Sequence, residues 1–381
     1  MAWQVYAARH SAFDLGLVGL TLFAPSFVLA PVTGLVADRV DRRAIVAAGA
    51  LAECAISAVL MASWNRHGTG AVAALLGVLL IAGVSRAFVF PAEQSLLPSI
   101  VPPETYPRAT ARAAVFREVV RIAGPALGGV LVAAGAAPAY GTAIVLSVAG
   151  AAVVPFVVMR TVAAAPSGRS GWREAIAGLR FVSQRPVLYG AISLDLFAVL
   201  FGGATALLPI YATAVLHAGA VGFGVLRAST GVGAAACAAV LARRPINRHA
   251  GPRLLTAVAC YGAATIVFGL SRSLLVSVVA LALVGAADMV SVVIREGIVQ
   301  LGTPDEMRGR VSAVEGVFIV ASNELGEFES GMLASLAGAV PAVVAGGLLT
   351  VAVAAVWAGC NPELRSADRY GDARSDVPAT R

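Results

Sequence analysis

Acidic and basic residues set inside long apolar runs are where this chain can do chemistry. Asp195 stands in Leu194-Asp195-Leu196-Phe197, and Asp288 in Gly285-Ala286-Ala287-Asp288-Met289. Arg295 and Glu296 follow Asp288 by two helical turns, and Arg227 lies in a further run. A charge at mid-bilayer costs about 2.5–3.5 kcal/mol on insertion scales, so each needs a partner or a wet cavity. A carboxylate held out of water can bind and release a proton near neutral pH. Asp195 and Asp288 are therefore candidate proton carriers. Each can instead be held permanently by Arg227 or Arg295 as a static bridge. Other chemistry finds little support. No Gly-x-x-x-x-Gly-Lys-Ser/Thr loop is present to cradle nucleotide phosphates. The four cysteines, Cys54, Cys237, Cys260 and Cys360, are dispersed and lack metal-ligand spacing. His10, His67, His217 and His249 all fall in predicted loops. No catalytic residue, metal or cofactor is expected.

The elements that position these groups follow from composition. The chain has 381 residues, 59% hydrophobic and 13% charged, with mean hydropathy +0.84. A soluble domain has roughly 25% charged and 45–50% apolar residues, so this is a polytopic membrane protein. Its 40 glycines suit close helix packing in lipid. Barrel-type alternation is absent, so the class is all-α. About eleven spans are predicted, near 13–34, 44–64, 71–91, 109–135, 138–159, 187–212, 221–242, 252–270, 273–300, 309–335 and 338–358. Residues 91–107, with Pro91, Pro98, Pro102 and Pro103, read as a loop. Residues 161–186 form a polar linker between two halves, 1–160 and 187–359. Within it, 172–181 reads as an amphipathic helix lying on the membrane. Residues 360–381 are expected to be a disordered tail. All 28 basic residues are arginine, and they concentrate in one set of alternate loops and the tail. Those loops are cytoplasmic, and the net charge of +7 reports topology rather than nucleic-acid binding. No cleavable signal peptide precedes the first span.

Between the first two runs lies Gly34-Leu35-Val36-Ala37-Asp38-Arg39-Val40-Asp41-Arg42-Arg43. Asp38 among Arg39, Arg42 and Arg43 should stay ionised, and the arginines can bridge helix ends or lipid phosphates. The pattern resembles the signature cytoplasmic loop of the major facilitator superfamily of secondary transporters. Asp41 departs from it, where the family usually has glycine. The resemblance implies two helical bundles around a central cavity, with this loop latching them. It also implies that Trp3-Gln4-Val5-Tyr6 is the tail of a first helix, most of which is missing. Either the start codon is assigned downstream of the true one, or this is a natural short form. The loop 242–251 takes the place of the second latch without its aspartate.

Gly124-Pro125-Ala126-Leu127-Gly128-Gly129 resembles the antiporter motif of facilitator exporters. Pro125 can kink its helix, and Gly124, Gly128 and Gly129 allow close packing against the other half. Glu118 and Arg121, one turn earlier, can pair along one face, as structure or as part of transport. Arg86 can meet Asp38 or reach lipid phosphate. Leu207-Leu208-Pro209, Arg308-Gly309-Arg310-Val311-Ser312 and Ser322-Asn323-Glu324-Leu325-Gly326 look like the enterobactin-type siderophore exporter and macrolide-efflux-like subgroup. The resemblance therefore implies a monomeric, multi-pass inner-membrane transporter. It would export a small organic molecule, a siderophore or amphiphilic drug, by proton antiport through alternating access. The rivals are an importer of the same fold and a non-transporting truncated membrane protein.

Overall fold

The computed structural model describes residues 1–102, 105–159, 172–246, 248–368 and 370. Every regular element among them is helical. The first half holds α1 (Ala2–Arg9), α2 (Ala12–Arg39), α3 (Arg42–Ala62), α4 (Thr69–Ile100), α5 (Tyr106–Ala134) and α6 (Ala136–Val153). After α7 (Trp172–Ser183) come α8 (Pro186–Phe201), the short α9 (Leu208–Ile210) and α10 (Gly219–Arg243). The second half continues with α11 (Ala250–Leu270), α12 (Leu274–Gly302), α13 (Asp305–Ala337), α14 (Ala339–Cys360) and α15 (Pro362–Ser366). Among the described residues, nine helical stretches are long and apolar enough to cross a membrane. α5 and α13 are not among them, because their charged residues dilute the apolar run. In α5 the apolar part is only Ile122–Ala134.

The helices pack as two bundles. In the first, α2, α3 and α4 pack together and α6 lies on α3. In the second, α11 lies between α12 and α14, with α10 on α12. The expected first-helix tail is a built part of the first bundle. Gln4 Nε2 on α1 donates to Leu60 O (3.0 Å) and Ser63 Oγ (3.3 Å) of the α3 end. Tyr140 OH on α6 donates to Gln4 Oε1 at 2.5 Å. Outward-facing Phe156, Leu275 and Leu336 are exposed, as lipid-facing side chains should be. The same turn device serves both halves. Gly135 (φ 120°) joins α5 to α6, and Gly338 (φ 91°) joins α13 to α14. Those backbone angles strain any residue with a Cβ.

Four expectations need correction. The loop expected from Pro91 is helix: α4 continues through Pro91 and Pro98 to Ile100. Proline is tolerated in membrane helices because packed neighbours satisfy the freed carbonyls. The latch stretch is mostly the end of α2, and only Val40 and Asp41 form the turn. The span near 187–212 is broken at Gly202-Gly203 and resumes as tight and wide helical turns from Ala204 to Val215. Irregular backbone survives at membrane depth only inside protein, and here Leu207, Leu208 and Tyr211 are fully buried. Finally, the tail is ordered to residue 368. Leu364 is fully buried. The carbonyls of Ala367 and Asp368 accept from Gly251 (3.0 Å) and Ala250 (3.2 Å), and Asp368 Oδ1 accepts the His249 N–H (2.9 Å). The strap thus satisfies the first-turn N–H groups of α11, which have no partner within the helix. Residues 371–381 lie outside the described residues.

Candidate functional site

Three helices of the second bundle converge on one guanidinium. Arg295 of α12 bonds through Nη1 to Asp195 Oδ2 of α8. Its Nε lies 3.3 Å from Glu315 Oε1 of α13. The three side chains are 5%, 9% and 9% exposed respectively. The two contacts differ in kind. Asp195 accepts a formed hydrogen bond, whereas neither Arg295 Nε nor Glu315 Oε1 has any hydrogen-bond partner. The rotation of α8 is fixed from behind by α14. Trp357 Nε1 donates to Ser193 Oγ (3.1 Å) and Thr350 Oγ1 to Ala198 O (3.2 Å).

Beside the ion cluster is a cavity of about 10 Å³, room for roughly one water molecule. Asp195, Asp288, Ser291 and Tyr261 supply its polar lining. Ser291 Oγ is buried without a hydrogen-bond partner, while Tyr261 OH donates to Gly202 O (3.1 Å) at the α8 break. Asp288 acts electrostatically on Asp195, and Glu296 on Glu315. Two carboxylates, Asp195 and Glu315, thus share one arginine at the centre of the cluster.

A second feature is the seam between the bundles, formed by α2 on α13 and α5 on α10. Glycine permits both contacts. A methyl on Gly129 would lie 2.5 Å from Gly224 Cα, and one on Gly331 would lie 2.5 Å from Gly16 Cα. Facing the seam, Glu324 of α13 feels Glu327, Arg86 of α4 and Arg227 of α10. Glu327 Cβ packs over Gly19 of α2.

The structure sorts the expected residues. Of Asp195's two possible bridging partners, it brings Arg295 and not Arg227, which instead acts on Glu324 and Glu327. Among the described residues, Gly129 is the motif glycine pressed against the other half, and the Cβ positions of Gly124 and Gly128 meet nothing within 4 Å. Pro125 contributes its carbonyl, 2.9 Å from the Cβ position of Gly224. The side chains of Asp38, Arg39, Glu118 and Arg121, and Gly34, lie outside the description. The expected Arg86–Asp38 meeting falls there too. In the turn, Arg43 Nη2 pairs with Asp41 Oδ2 at 2.8 Å and Nη1 donates to Val157 O at 3.2 Å. The Arg43 side chain, then its backbone N–H, hold the Asp41 carboxyl below the usual carboxylate range. Sequence reasoning left Glu315, Ser291 and Tyr261 out of the site. Their only signal was polarity within a span, which does not say which neighbour they meet.

A major facilitator family model described as "Transmembrane secretion effector" matches residues 1–379. The chain belongs to that family. This major facilitator protein is a multi-pass membrane transporter. It is 29% identical to the uncharacterized transporter y4rN of Sinorhizobium fredii, over 59% of this chain and 56% of that protein. It is 29% identical to the multidrug efflux pump Tap of Mycolicibacterium fortuitum, over 88% of this chain and 84% of Tap. It is 27% identical to the enterobactin exporter EntS of Citrobacter koseri, over 82% and 74%. Among solved structures, it resembles a bacterial homologue of the lysosomal transporter Spinster. That match has TM-score 0.71 and 15% identity, covering 92% of this chain and 90% of that one, and it shows the fold.

Proposed function

We propose that this transporter exports an amphiphilic organic molecule in exchange for protons, by alternating access between its two bundles. The observation that carries the proton half is the buried cluster, where Asp195 and Glu315 share the single guanidinium of Arg295. Unbalanced carboxylates in a membrane interior are costly unless they exchange protons. Export is supported by the names of the relatives Tap and EntS and by the α5 motif, whose Gly129 is seated on α10. The seam contacts at Gly16–Gly331 and Gly129–Gly224 lie toward the helix ends remote from the Val40–Asp41 turn. With that turn cytoplasmic, these contacts hold the two bundles together on the outer side. Arg86, Arg227, Glu324 and Glu327, which act on one another electrostatically from α4, α10 and α13, would bind the polar end of the cargo.

The test uses the purified chain in proteoliposomes with an imposed pH gradient. Two probes are loaded in turn: ethidium, a cationic amphiphile, and enterobactin, a catechol siderophore. The expected outcome is probe movement against the direction of proton flow, abolished by a protonophore. Movement with the protons would make it an importer. Gradient-independent behaviour of both probes would remove the antiport reading.

A further inference from the structure

We infer that Glu315 is a second seat for Arg295, taken up when Asp195 accepts a proton, and that this exchange tells α13 that the proton has arrived. The inference rests on the proton-exchange reading above and adds the residue that couples it to movement.

The geometry is that of one cation between two acceptors of which one is engaged. Nη1 is bonded to Asp195, and Nε stands 3.3 Å from a Glu315 oxygen without a hydrogen bond on either side. A change of angle, with little translation, completes the second bond. The three groups are nearly fully buried, so a guanidinium released by a neutral Asp195 cannot reach bulk water. Leaving such a charge unpaired is strongly unfavourable, and the nearest carboxylate takes it. Proton and charge balance simply. A proton from outside converts the Asp195 carboxylate to a carboxylic acid, Arg295 stays cationic throughout, and release to the cytoplasm restores the first pairing. The cavity of about 10 Å³ beside Asp195 and the orphaned Ser291 hydroxyl give one water a place from which to deliver the proton. Other groups facing the cluster are Asp288 and Glu296 from α12 and Tyr261 from α11; α14 offers the uncharged Trp357 and Thr350.

Why α13 matters follows from its length. The helix that carries Glu315 also carries Glu327, packed over Gly19, and Gly331, packed on Gly16. A pull at Glu315 therefore acts on a rigid rod whose far end closes the bundle seam.

The experiment compares the wild type with Glu315→Gln, which keeps the volume and the Asp195–Arg295 bond. In proteoliposomes carrying ethidium, the variant should lose about tenfold or more of the pH-gradient stimulation. Ethidium counterflow, which needs no net proton movement, should stay within about twofold. Glu315→Asp should restore part of the stimulation. A substrate-free measurement runs beside it, the thermal unfolding midpoints of Asp195→Asn, Glu315→Gln and the double variant. Each single variant leaves Arg295 one seat, so the double variant should lose clearly more than the sum of the two. Full gradient stimulation in Glu315→Gln, or additive midpoint shifts, would overturn the inference. Absence of stimulation in the wild type would sink the antiport reading instead, and the midpoint cycle would still decide the seat.

Discussion

Two buried polar clusters, one in each half, are built in opposite ways. In the first bundle, Gln4, Ser63 and Tyr140 form a neutral network whose donors and acceptors meet at 2.5 to 3.3 Å. In the second, Asp195, Arg295 and Glu315 form an ionic cluster in which Arg295 Nε, Glu315 Oε1 and nearby Ser291 Oγ lack hydrogen bonds. A satisfied network rigidifies one packing arrangement. An ionic cluster with spare acceptors has more than one arrangement of similar energy. On the proposed antiport, the contrast gives the Gln4–Tyr140 network the task of holding shape and the Arg295 cluster the task of responding to protons.

The largest effect should come from Arg295→Gln. Removing one partner of a buried pair costs about 3–5 kcal/mol, and here it strands carboxylates from two other helices. Gradient-driven efflux should disappear and the unfolding midpoint should fall; retained pH-gradient coupling would break the contrast. Next is the place where the halves meet. Gly129→Val puts a branched side chain where a methyl already lies 2.5 Å from Gly224 Cα. Transport should drop by about tenfold or more, since the α5–α10 seam cannot close. Gly124→Ala, whose Cβ meets nothing within 4 Å among the described residues, should transport as the wild type does.

A smaller effect should come from Tyr140→Phe, which leaves Gln4 Oε1 without its donor. The expected loss is about 1–3 kcal/mol of stability with gradient stimulation unchanged. A change in the pH profile of efflux would show that the neutral network does more than hold shape. Smallest is Asp41→Ala in the exposed turn. The Asp41 carboxyl is held low by Arg43, so its contribution is present above the ordinary carboxylate pKa and is lost as pH falls through the lowered value. Wild type and variant should differ slightly in midpoint near neutral pH and converge in acid.

Much of this protein is legible in its amino-acid order. The apolar runs mark the helices because hydrophobicity and span length are local properties. The α5 motif reads as a helix that touches the other bundle, and its Gly129 lies against Gly224 of α10. Legibility fails where the answer depends on neighbours. Pro91 reads as a stop until the packed surroundings of a membrane helix are considered. Residues 361–368 look like a loose polar tail, yet their carbonyls close the start of α11.

Composition and local pattern were enough for the membrane class, the helical architecture, the family resemblance and the need for charges to lie inside. Which charges meet was settled by packing in three dimensions. Asp195 is 100 residues from Arg295, and Arg227 was an equally good partner by type. The choice depends on helix rotation, set by contacts such as Trp357 on Ser193, and on the approach of α13, which brings Glu315 to the same guanidinium. Periodicity says that a side chain is buried, but only packing says against what.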